Sequence, residues 1–304
     1  MKQSLTRPQF DLLVELAAPN DDRTVAPMAT QTVFTEALRG QTVRELTEAG
    51  YMAGNTITEK GLAALEPYRA RRVILTAAGL GQRLVPVTYV VPKPLVKING
   101  RRLIETIIDA ARAAGVEEIV VVRGYMGEKF DVLREKYPDI RLIDNPYYNE
   151  ANNISSVFVA ADLLENAYIC DADLLVKKPA VFKKYHWCSN YLGIPMAHSD
   201  DWCFTMNGPK IAAQQVGGDD CYQQIGVAYF DRETGRTAGR QIREIFNTPD
   251  GKKYFWDNAL YTFHMPDYYI EMRKCAAGQD VLEIDTYEEL CRLDEAYLDK
   301  TYTG

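Results

Sequence analysis

The chain has only three histidines (His186, His198, His264), and none of its six cysteines (Cys170, Cys188, Cys203, Cys221, Cys275, Cys291) stands in a Cys-x-x-Cys pair. Structural zinc needs Cys and His ligands at short fixed spacings, so zinc is excluded and reduced structural thiols are expected. No run of 18 apolar residues occurs, which excludes a membrane-spanning helix. The N-terminus leads into an amphipathic pattern instead of the apolar core of a signal peptide, so a cytoplasmic location is expected. Positive charge is also scarce, with 35 Lys and Arg against 42 Asp and Glu and a net charge of −7. Affinity for nucleic acid comes from neutralising phosphates, so wholesale nucleic-acid binding is disfavoured, while a small anionic substrate needs only a local basic cleft. What the 304 residues do have is 47% apolar content, enough for at least one large core and, by length, two domains.

The most informative stretch runs from Val73 to Gly100. The apolar run Val73-Ile74-Leu75 reads as a buried strand that breaks into Ala77-Ala78-Gly79-Leu80-Gly81, where small side chains let backbone N–H groups approach a ligand closely. Such a loop cradles phosphates. Arg83 follows the glycines, and Lys93 lies between Pro92 and Pro94, whose rings stiffen the backbone that presents it. Ala77, Ala78, Gly79, Gly81, Arg83 and Lys93 thus read as a polyphosphate site. The string is not a Walker loop, which requires Gly-Lys-Ser/Thr, nor a dinucleotide fingerprint, which requires a third glycine before a helix.

Residues 1–70 read as a separate unit. Phe10, Leu13, Val14 and Ala17 fall at helical spacing, a second helix is expected over residues 32–38, and a third carries Val43, Leu46 and Ala49. A hairpin around Ala53-Gly54-Asn55 and a short helix through Leu62 and Leu65 complete a pattern similar to a winged helix-turn-helix domain. Charge tests the DNA-binding reading: the unit has seven Lys and Arg against nine Asp and Glu, so DNA is disfavoured and a packing or dimerisation module is the plainer reading. A homodimer is compatible with it.

From residue 71 onward strands and helices alternate, as in a Rossmann-like α/β domain with a mixed, mainly parallel sheet spanning residues 71–304. A helix is expected from Leu103 to Gly115, buried strands at Ile119–Val122 and Ile140–Ile143, and ligands at the carboxyl ends of the strands. Tyr125 lies past the second strand, either as a core ring or a base contact. Asn152-Asn153-Ile154-Ser155-Ser156 opens a helix, and Asn153 and Ser155 either cap it or reach a nucleotide's base or ribose. Tyr168-Ile169-Cys170-Asp171-Ala172-Asp173 is a strand that sends two carboxylates off the sheet edge. Asp173 is the expected Mg²⁺ ligand, since Mg²⁺ takes oxygen from one or two carboxylates, water and phosphate. Near the end, Glu283 and Asp285 alternate on one face of Val281–Asp285 and look into the same cleft.

Several signatures recur together: the opening motif, Gly124-Tyr125, Asn153-Ile154-Ser155, Asp171-Ala172-Asp173, Asp201-Trp202, Trp256-Asp257 and Glu283-Ile284-Asp285. In combination they resemble the bacterial phosphocholine cytidylyltransferase family over residues 72–300. Thr76 departs from the family pattern, which more often has alanine there. The resemblance implies Mg²⁺-dependent transfer of CMP from CTP to phosphocholine, releasing pyrophosphate and CDP-choline. It implies that Arg83 and the Gly79 and Gly81 amides hold the leaving phosphates, that Asp173 and Asp285 carry the metal, and that Lys93 bridges the attacking and α-phosphates. A quaternary ammonium is best held by aromatic faces with a carboxylate, which Trp202, Tyr229, Trp256, Asp257 and Glu283 supply. A primary ammonium suits the same acids, so 2-aminoethylphosphonate and phosphoethanolamine are rivals. A sugar-1-phosphate nucleotidyltransferase and a nucleotide-sensing transcription regulator are the remaining alternatives.

Overall fold

The computed structural model describes residues 5–18 and 25–298. The outer parts of the expected N-terminal unit, residues 1–4 and 19–24, lie outside the described residues, as do residues 299–304. The unit begins with α1 (Arg7–Ala17) and α2 (Glu36–Glu48). A hairpin of β1 (Met52–Ala53) and β2 (Thr56–Ile57) and then α3 (Glu59–Leu65) follow. The separate helices expected at 32–38 and 43–49 are replaced by the single α2, because Thr35 caps it by accepting the Leu38 N–H at 3.2 Å. Gly40 is then carried within the helix instead of ending it.

This unit has its own apolar cluster of Leu5, Phe10, Leu12, Leu13, Leu46, Met52 and Leu65, but Tyr185 from the following part completes it. Tyr68 stacks on Trp187 at 5.6 Å. Val25 and Ala26 belong to the main core, and the buried Arg273 guanidinium donates to the carbonyls of Ala26 and Val181.

The second part is built on β3 (Arg72–Ala77), followed by the small ribbon β4 (Lys97–Ile98) and β5 (Arg101–Arg102). Then come α4 (Leu103–Ala113), β6 (Glu118–Arg123), the short α5 (Leu133–Lys136) and β7 (Arg141–Asp144). After α6 (Ile154–Val159) the chain forms β8 (Ala167–Asp171) and β9 (Leu174–Val176). The long hairpin of β10 (Asn190–Asn207) and β11 (Lys210–Phe230) precedes α7 (Arg232–Phe246) and α8 (Trp256–His264). Finally come β12 (Glu271–Lys274), β13 (Val281–Glu283) and α9 (Tyr287–Leu293).

Seven strands form one sheet in the order β10-β12-β11-β8-β3-β6-β7. β3 lies parallel to β6 and β8, and β6 parallel to β7, while β11 runs antiparallel to β8. The sheet is therefore mixed and mainly parallel about β3. Side chains alternate faces along β3: Val73 and Leu75 pack with α4 residues Ile104, Ile107 and Ile108, whereas Ile74 packs with Val157, Ile242 and Leu260 on the other side. Burial on both faces explains the unbroken apolar runs Val73–Leu75 in β3 and Ile119–Val122 in β6.

His186 tests how this core responds to pH. It lies buried between Tyr168 and Tyr229, accepts from Asn190 Nδ2 at Nδ1 (3.0 Å) and meets the Tyr168 hydroxyl at Nε2. Burial, then the positive charges of Arg273 and Lys183, hold its pKa well below 6.5. The unfolded chain thus binds a proton below pH 6.5 that the folded chain refuses. Stability should be complete above that pH and decline as pH falls through it, by up to about 1.4 kcal/mol per pH unit. Denaturant unfolding at pH 7.5 and 5.5 checks this: His186→Phe should flatten the difference, and an unchanged slope would remove His186 as its source.

Candidate active site

The carboxyl ends of β3, β7 and β8 open into a cleft of about 760 Å³. Its first wall is the loop after β3. Gly81 has φ +63°, and a Cβ there would come within 2.9 Å of Thr88 and 3.0 Å of Lys93, so glycine is required. A Cβ at Gly79 would meet nothing within 4 Å, which leaves the backbone there open to a ligand. Ala77, Ala78, Gly79, Gly81 and Arg83 all line the cleft. Tyr125 does not. Its hydroxyl donates to the Thr88 carbonyl at 2.8 Å and its N–H to the Ala78 carbonyl at 3.1 Å, so it braces the loop from behind.

The floor is charged. Lys93 is buried on a short turn after Pro92, and its Nζ lies 2.8 Å from Asp173 Oδ2 and 3.3 Å from Asp285 Oδ1. Burial opposes its charge, but Asp173 and then Asp285 outweigh that and raise its pKa. Arg83 pairs with Asp285 at 2.6 Å. The acids come together because β13 pairs antiparallel with β9, just past Asp173, and Ile284 N–H bonds the Asp173 carbonyl at 3.3 Å. Asp285 is then fixed immediately before Thr286, which caps α9.

Asp173, Glu283 and Asp285 each offer an oxygen within 4.8 Å of the others. Glu283, expected at the acceptor, therefore belongs as well to the group that could hold a metal ion. Burial, then the charges of Asp173 and Asp285, push its pKa up to about 9. Asp173 Oδ1 is buried without a hydrogen-bond partner. An all-oxygen set with an orphaned carboxylate oxygen fits a hard divalent cation. Asp171 sits beside this group and accepts from Thr76 Oγ1 at 2.5 Å, which gives the unusual Thr76 a contact. Burial, then Asp173, raise Asp171 to about 8. Gly226 admits it: a Cβ there would fall 2.1 Å from Asp171 Oδ2.

The other end holds Asp201, Trp202, Phe255 and Asp257. Asp257 accepts from the Tyr191 hydroxyl at 3.1 Å and the Asn258 N–H at 2.8 Å, and burial raises its pKa. Among the described residues no cation of the chain pairs with it. Two expected acceptor contacts lie elsewhere. Trp256 is fully buried against Tyr191, Phe230 and Tyr261, because one residue of helical rotation turns it into the core and leaves Phe255 half-exposed at the cleft. Tyr229 is fully buried and stacked on His186 at 4.1 Å.

Asn153 and Ser155 do line the cleft, yet the Ser155 hydroxyl is committed to the protein, donating to the Asn152 carbonyl (2.8 Å) and accepting from Asn145 Nδ2 (2.9 Å). Asn145 was missed by motif reading, although its place just beyond β7 marks it. Tyr148, Tyr191 and Phe255 carry no local signal.

Residues 73–186 match the MobA-like NTP transferase domain. The chain is 36% identical over 229 residues to the 2-aminoethylphosphonate cytidylyltransferase of Lancefieldella rimae, covering 74% of this chain and 92% of that one. The chain belongs to the cytidylyltransferase family of nucleotidyltransferases. It is also 30% identical over 227 residues to the choline-phosphate cytidylyltransferase of Streptococcus pneumoniae, covering 74% of this chain and 97% of the relative. The solved structure of the CTP:phosphocholine cytidylyltransferase from that organism superposes with a TM-score of 0.69 at 29% identity, over 75% of this chain and 99% of that one. This nucleotidyltransferase has the family fold about β3, and no helix among its described residues is long and apolar enough to cross a membrane.

Proposed function

We propose that this cytidylyltransferase transfers CMP from CTP to a small phosphorylated amine, with 2-aminoethylphosphonate as the acceptor. The observation that carries this is the charge balance of the cleft, where among the described residues six carboxyl groups (Asp171, Asp173, Asp201, Asp257, Glu283, Asp285) face two cations, Arg83 and Lys93, so that the acids outnumber the cations even with Asp171 and Glu283 holding their protons near neutral pH. Such a cleft accepts an anionic triphosphate only if further positive charge arrives with the substrates. One share falls to a divalent cation at Asp173 and Asp285 with Glu283, the other to an ammonium at Asp257. A primary ammonium donates hydrogen bonds to a carboxylate, whereas a quaternary one depends on aromatic faces. With Trp256 and Tyr229 in the core, the carboxylate dominates, and the relative at 36% identity agrees. Trp202 and Phe255 at the cleft favour phosphocholine as the second reading.

In the reaction a phosphonate oxygen attacks the α-phosphorus, the bond to the β-phosphate oxygen breaks, and pyrophosphate leaves. The attacking oxygen is already anionic, so no general base is needed. Positioning and charge neutralisation suffice. On this reading Lys93 bridges the incoming and α-phosphates, and Arg83 and the Gly79–Gly81 backbone receive the leaving pair. Asp173 and Asp285, with Glu283, would hold a divalent cation, which would supply neutralisation of phosphate charge.

Pyrophosphate release over four nucleotides and a panel of phosphorylated amines and sugars tests the proposal. CTP with 2-aminoethylphosphonate should give the highest kcat/KM. A higher value for phosphocholine selects the second reading, and turnover only with sugar-1-phosphates ends both. Metal binding has its own readout: Mg²⁺ at 100 times its Kd should stabilise the fold by about 2.7 kcal/mol in thermal unfolding. Asp173→Asn should lose most of that increment, and equal stabilisation of the variant would move the metal elsewhere.

A further inference from the structure

We propose that Asn153 is a positioning residue that couples the two ends of the cleft, so that bound nucleotide tightens the acceptor pocket. The inference rests on the two-substrate reading above. Asn153 Oδ1 accepts the N–H of Trp256, the first residue of α8, at 2.9 Å. The first-turn N–H groups of a helix have no partner within it, and the residue at the cap position, Phe255, offers no side-chain acceptor. Asn153 therefore caps α8 from the opposite wall.

Neighbouring bonds clamp the same two segments. Asn152 N–H donates to the Lys252 carbonyl at 2.8 Å, Asn152 Nδ2 to the Lys253 carbonyl at 3.3 Å, and Lys252 pairs with Glu150 at 3.0 Å. The helix seated in this way carries Asp257 in its first turn, with Phe255 at the cap before it, and both line the cleft.

The amide's orientation is settled by its partner. A backbone N–H can only donate, so the atom facing Trp256 is Oδ1, and Nδ2 points the other way. Nδ2 has no protein partner among the described residues, and Asn153 lines the cleft. A donor in that position matches the carbonyl or the unprotonated ring nitrogen of cytosine. One rigid amide plane thus serves nucleotide at one end and α8 at the other. Fixing either end lowers the ordering cost of the other, and such coupling acts equally in both directions.

Calorimetry of 2-aminoethylphosphonate binding, with and without a CTP analogue whose α,β-bridging oxygen is a methylene, measures the coupling without turnover. In the parent protein the analogue should tighten acceptor binding by about 5-fold or more. Asn153→Asp keeps an oxygen for the Trp256 N–H but has no donor. Its nucleotide-free acceptor affinity should be no weaker than the parent's, and its enhancement should fall to about one. Asn153→Ala should lose both. Amide hydrogen exchange of the parent supplies a second reading, in which the analogue should slow exchange in the first turn of α8. Parent-like enhancement in Asn153→Asp, or none in the parent, overturns the coupling. If a sugar phosphate binds and the amine does not, the acceptor reading fails, and the same ratio taken with the sugar phosphate still decides the role of Asn153.

Discussion

Lys93→Ala is expected to lower kcat by about 10²- to 10³-fold, the loss typical of removing one preorganised donor from a developing oxyanion. The expectation follows from its position. Lys93 is buried, held on a stiff turn between two prolines, and lies within 3.3 Å of Asp173 and Asp285, just past the ends of β8 and β13. On the proposed reaction its ammonium is held in place by Asp173 and Asp285 before phosphate arrives, so its loss should appear in kcat more than in KM for CTP. The variant also leaves Asp173 without its cation partner, so folding must be checked separately. Steady-state kinetics with circular dichroism on the same sample does this. A folded variant turning over within threefold of the parent would remove Lys93 from the chemistry.

Trp256→Ala should cost about 3–5 kcal/mol of stability, the range for truncating a large buried aromatic. Its ring has no exposed surface and touches Tyr191, Phe230 and Tyr261 across the sheet face that α8 covers. Its neighbour provides the contrast. Phe255→Ala should leave stability within about 0.5 kcal/mol, as exposed substitutions do. It should raise the acceptor KM by about 2- to 30-fold, the span of one aromatic–cation contact. Denaturant midpoints and acceptor KM values for the two variants decide the matter. A stable Trp256→Ala with a raised KM would return that tryptophan to the acceptor pocket.

These two residues show where local sequence reading stops. Trp256-Asp257 is an acid–aromatic pair in the right part of the chain, and Asp257 does face the cleft. Which of two adjacent aromatics joins it depends on the rotation of α8 about its own axis, which packing against β10 and β11 sets. Tyr229 failed for a similar reason. The strand was legible, but its two faces could not be told apart until His186 was found stacked on one of them. Thr35 had the opposite history, since a cap signal inside the expected helix at 32–38 was present in the sequence and would have given α2 its true start.

The sequence alone determined the chemistry that a few adjacent residues encode: a strand running into a glycine turn, a lysine stiffened by flanking prolines, two carboxylates leaving a strand end. Each follows from backbone sterics and periodicity over a few residues, so it is present before the chain folds. Only the tertiary structure decided that Glu283 and Asp285 reach Asp173, through pairing of β9 with β13 across a hundred residues of chain. It also decided that an amide on one wall caps the helix on the other. Both depend on contacts whose partners are distant in sequence, where the closing entropy of long loops is repaid by packing that no local pattern records.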